Sequence, residues 1–123
     1  MTTEWSHLPN AAHIDAVLAS VKANPDEWSA ALDAALDAAW GAAWDAAYDA
    51  ARGAALDAAW DAALDAARYA ILALIAYDDC AHMLDSEPDD LRFLSKLGSH
   101  AATLMIPASI ALKSIREKQV AVL

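Results

Sequence analysis

Cysteine is almost missing from this 123-residue chain, where Cys80 stands alone. A lone thiol cannot close an internal disulfide, so nothing asks for an oxidising compartment. Positive charge is also scarce: eight Lys and Arg face eighteen Asp and Glu, for a net charge of −10. That balance argues against direct nucleic-acid binding, because phosphate contacts need clustered Lys and Arg. Long hydrophobic runs are lacking too. The apolar stretches Ala70–Ala76 and Ala101–Leu112 fall far short of the ~20 residues that span a bilayer. The opening MTTEWSHLPN has neither the basic nor the apolar region of a signal peptide. These absences together predict a soluble, cytoplasmic protein with no membrane partner. No complete catalytic or nucleotide-binding motif is present, so the expectation is a non-enzyme without a cofactor.

What the chain has in excess is alanine, which lifts the apolar fraction to 59%, above the usual ~45–50%. Alanine favours helix but buries little area. Trp5, Trp28, Trp40, Trp44 and Trp60 must therefore supply much of the bulky packing. No credible strand pattern appears, and the length suits one domain.

Residues 1–9 read as an irregular leader. Asn10 opens a helix over 10–23, with Ile14, Val17, Leu18 and Val21 on one apolar face. Asn24-Pro25-Asp26-Glu27 marks the clearest boundary. Asn24 can cap, Pro25 suits the first helical position, and Glu27 completes a variant capping box. From Pro25 a long repeat helix is expected to continue to about residue 84, with bends possible only at Gly41 or Gly53. Unbroken, it would be about 90 Å long, far beyond the ~14 Å radius of a compact domain this size. It must bend, break or find partners outside its own chain. Ser86 is expected to cap a helix over 87–97 that Gly98 ends in the left-handed region. Ser99 then caps a last helix over 100–119, which Pro107 should kink or split. Its end carries the basic residues Lys113, Arg116 and Lys118.

Leu32 to Arg68 repeats a four-residue phrase: a large residue, then Asp or Gly, then two alanines. Four residues rotate about 400° around a helix, so the large residues creep forward about 40° per step. Leu32, Leu36, Trp40, Trp44, Tyr48, Arg52, Leu56, Trp60, Leu64 and Arg68 thus wind around the axis, with the aspartates beside them. A period of 4.0 exceeds both the heptad and the eleven-residue repeat, so a regular coiled coil is excluded. The predicted architecture is all-α, a long Ala-rich central helix with shorter helices packed around it. The wound stripe asks for more neighbours than one chain supplies, which predicts a homo-oligomer.

Three sets of side chains are candidate sites. Asp45, Asp49, Asp57 and Asp61 form an acidic stripe that suits a basic host protein; the plainer reading is a solvated acidic face. Arg52 and Arg68, with Trp40, Trp44, Tyr48 and Trp60 near them, could gather around a small anionic ligand in an oligomer. The plainer reading of the arginines is a salt bridge three residues back, to Asp49 and Asp65. Asp78, Asp79 and His82 are weak metal candidates by helical spacing, with His100 as a further ligand. The alternative is a polar contact between helices, with Cys80 as a small apolar filler.

The Ala-Ala-Trp-Asp idiom of Trp44–Asp61, followed by AILALIAYDDCAHMLDSEPDDL at Ala70–Leu91, resembles uncharacterised alanine-rich helical proteins of bacteriophages and mobile bacterial elements. The resemblance covers about half the chain and implies no catalytic residues. It implies a phage-type inhibitor of a host defence component, acting in the host cytoplasm. Two alternatives stand beside it: an oligomeric sponge for a nucleotide-like signal, and a self-assembling structural protein.

Overall fold

The structure is a computed structural model, and it describes residues 5–34, 43–47 and 65–122. Its elements are α1 (Ala11–Ala23), α2 (Pro25–Ala34), α3 (Asp65–Ala76), a 3-10 turn (Ala81–Asp85), α4 (Pro88–Lys96) and α5 (His100–Val122). Residues 43–47 are also helical. The all-α expectation holds: no strand occurs among the described residues.

The two apolar runs that are too short for a bilayer become the inner helices. From Ala102 to Ser109 every residue of α5 is buried, and so is every residue from Ala70 to Leu74 in α3. A helix apolar on all sides belongs where neighbours surround it. Accordingly α5 touches α2, α3, α4 and the 3-10 turn, while α1 lies on α2 and α3. The shorter helices therefore pack around a long C-terminal helix. No described helix is long and apolar enough to cross a membrane.

Several boundaries follow the sequence. Gly98 ends α4 with φ +97°. The N–H of Ser99 bonds the carbonyl of Leu94, and that of Gly98 the carbonyl of Ser95, which is a Schellman motif. Ser99 then caps α5 by accepting the Ala102 N–H at 3.1 Å.

Other boundaries differ. The repeat helix does not reach residue 84: α3 ends at Ala76 and residues 77–80 form a turn. The cause is tertiary. The buried Asn10 side chain donates to the carbonyls of Leu74, at 2.9 Å, and Tyr77, at 3.0 Å, and so satisfies the helix end in place of another turn. Whether the repeat bends at Gly41 or Gly53 lies outside the described residues. The capping box at Asn24 is not made. Its amide donates backwards to Ser20 O at 3.1 Å, and Glu27 accepts from Lys118. Ser86 does not cap α4. Glu87 holds that place without a side-chain bond, and the Ser86 carbonyl accepts from buried Ser109. α5 runs through Pro107 as one element to Val122 instead of splitting. Even the leader joins the core: Trp5 is buried and its indole N–H donates to Asp15 at 2.8 Å.

Candidate functional site

Where α3 ends, the chain turns through Asp78 and Asp79 and drops Cys80 back against the helix, its thiol donating to Ala73 O at 3.4 Å. The 3-10 turn then carries His82 and Met83 outward. Across from them, the Schellman turn at Gly98 and the capped start of α5 present Ser99, His100 and Ala101. Between these walls lies an open cleft of about 410 Å³, also lined by Tyr77, Asp79 and Cys80.

The cleft's electrostatics disfavour a reactive thiol. Burial, then the negative charges of Asp79 and Asp78, push the Cys80 pKa up to about 12. The thiol is therefore protonated near neutrality, and a thiolate is the nucleophilic form. The Tyr77 hydroxyl is pushed up as well, chiefly by desolvation. His82 and His100 are exposed. What the cleft offers is imidazole, phenol and carboxylate hydrogen bonding at an open surface.

The sequence pointed to Asp78, Asp79, Cys80, His82 and His100, and the structure brings all of them except Asp78 to the lining of this cleft. The route differs from the expectation. Residues 77–80 are not helical, so the i, i+3 and i, i+4 spacing of Asp78, Asp79 and His82 does not place them on one helix face. Among the described residues no group of three His, Cys, Asp or Glu is placed to hold a metal. Tyr77 and Met83 were not singled out. Their only signal in the sequence was adjacency to the Asp-Asp-Cys turn.

Of the repeat candidates, Trp44 is half-buried and meets Tyr69 of α3 edge-on, at 5.4 Å between ring centres. Asp45 beside it is exposed, and Arg68 is half-buried on α3. Trp40, Tyr48, Asp49, Arg52, Asp57, Trp60 and Asp61 lie outside the described residues. The alanines on the inner side, Ala43 and Ala47, are fully buried.

A further feature lies beside the cleft. Asp78, Asp79, Asp85, Glu87, Asp89 and Asp90 are all exposed, and no Lys or Arg interrupts the stretch. Glu87 pairs with Lys113 at 2.8 Å and Asp89 with Arg92 at 3.0 Å. Among the described residues Asp78, Asp79, Asp85 and Asp90 enter no ion pair. Compared with known proteins, the chain matches no family model, no curated protein and no solved structure.

Proposed function

We propose that this chain is a non-enzymatic acidic binding protein that engages a basic surface of another protein. One observation carries the reading. The turn after α3 and the 3-10 turn display Asp78, Asp79 and Asp85 exposed and outside any ion pair among the described residues, whereas Arg92, Lys113 and Lys118 are each paired with a carboxylate of the chain. Fixed carboxylates on a backbone held by Asn10 and Cys80 attract a basic partner at long range and orient it. The neutral, buried state of Cys80 agrees with a binding role rather than thiol catalysis. The finer reading is a phage-type inhibitor of a host defence component, and it rests on the alanine-rich resemblance alone.

The test is capture of bacterial proteins on the immobilised chain at low and high salt, beside a triple variant, Asp78→Asn, Asp79→Asn and Asp85→Asn. A control variant neutralises the exposed Asp26 and Glu117 instead. A discrete basic protein retained at low salt, kept by the control and lost by the triple variant supports the proposal. Retention that the triple variant leaves unchanged overturns it.

A further inference from the structure

Among the described helices α4 is the most sharply two-sided. Leu91 is fully buried against the core, whereas Phe93 is 63% exposed, Leu97 68% and Leu94 36%. Phe93 is the only phenylalanine in the chain. Phe93 and Leu97 stand one turn apart on the outer face. The charges on the same helix are ordered: Asp89 and Asp90 lie at its start, Lys96 at its end. Asp90 and Lys96 are both exposed and enter no ion pair among the described residues.

We infer that the outer face of α4 is a homodimer interface, packed antiparallel against the same helix of a second copy. A two-fold axis level with Phe93 sets the two Phe93 side chains against each other, as an isologous contact allows, and brings Asp90 of one copy level with Lys96 of the other. The same axis carries the acidic start of each helix to the lysine at the end of the other. Parallel pairing would instead oppose acid to acid. Order of charge along the helix thus selects the occupant: an identical, antiparallel helix is complementary to it. The proposal gives the expected homo-oligomer a specific surface on α4, and it does not depend on the acidic-surface reading.

The apolar area is modest. Three partly exposed side chains offer roughly a few hundred Å² per copy, under the ~800 Å² per partner of a standard interface. The dimer is therefore weak and depends on concentration. Sedimentation velocity of the full chain, from low to high micromolar concentration, tests this. The expected result is a reversible monomer–dimer exchange. Phe93→Ser with Leu97→Ser weakens it by about tenfold or more, since central apolar anchors dominate such contacts. Far-UV circular dichroism of that variant stays unchanged, because neither side chain supports the core. Asp90→Lys alone also weakens the dimer, and adding Lys96→Asp restores it. A monomer at every concentration overturns the proposal. So does self-association that the double Ser variant leaves intact. Failure of the Asp90–Lys96 exchange to restore pairing overturns the antiparallel arrangement.

Discussion

At the scale of single residues, two polar side chains fix the end of α3. Asn10 reaches across from the start of α1 to the carbonyls of Leu74 and Tyr77. Cys80 returns to Ala73. Neither bond is readable from local sequence, because a cap from a residue 64 positions away leaves no local pattern. The sequence accordingly let the helix run on to residue 84. Cys80 also sets a pH dependence with a definite sign. Its folded pKa, about 12, lies above the ordinary thiol value of 9.0. The stability it contributes is therefore complete below pH 9 and is lost as pH rises from about 9 towards about 12. A mild thiol reagent at pH 8 should modify Cys80 in the folded chain at least about a hundredfold more slowly than in denaturant. Cys80→Ala should flatten the alkaline fall in stability, read from denaturation midpoints across pH. Rapid native-state labelling would contradict the burial of this thiol.

At the scale of elements, what the sequence made legible is what local chemistry decides. The Schellman turn at Gly98 and the cap at Ser99 were expected and are present. Glycine is needed at Gly98 for its φ of +97°, and not for space: a Cβ there would meet nothing within 4 Å. Gly98→Ala should therefore cost about 1–2 kcal/mol of purely conformational strain, and Gly98→Asn less, since Asn tolerates positive φ better. Thermal unfolding of the two variants separates them. Equal losses would mean that the strain is not conformational. The capping box at Asn24 and the cap at Ser86 failed for a different reason. Each candidate side chain or its neighbour found a partner on another element, Lys118 for Glu27 and Ser109 for the Ser86 carbonyl. The cleft shows the same division. Its residue types were legible at Asp79, Cys80, His82 and His100, but their meeting depends on a turn and on the α4–α5 corner, which helical spacing could not supply.

At the scale of the whole molecule, the arrangement concentrates stability in one helix. α5 is buried on all sides from Ala102 to Ser109 and joins α2, α3, α4 and the 3-10 turn, so these four elements rest on it directly. Its apolar run was visible in the sequence as Ala101–Leu112, but the eye goes first to the longer repeat at Leu32–Arg68. The weight of a helix in the core follows from contact on every side, which composition alone does not report. Ile106 is 1% exposed at the middle of this run. Ile106→Ala removes three methyl-sized groups where neighbours cannot close in, and should cost about 2–5 kcal/mol. The loss should also be global. Trp28, fully buried in α2 with its indole bonded to Ser20 at 3.0 Å, reports on the α1–α2 layer once Trp5, Trp40, Trp44 and Trp60 are replaced by Phe. If α5 holds the layers as one cooperative unit, tryptophan fluorescence and far-UV circular dichroism of Ile106→Ala fall together, at one lowered midpoint. If fluorescence were to hold while helicity fell, the α1–α2 layer would be stable without α5, and the central place of this helix would be wrong.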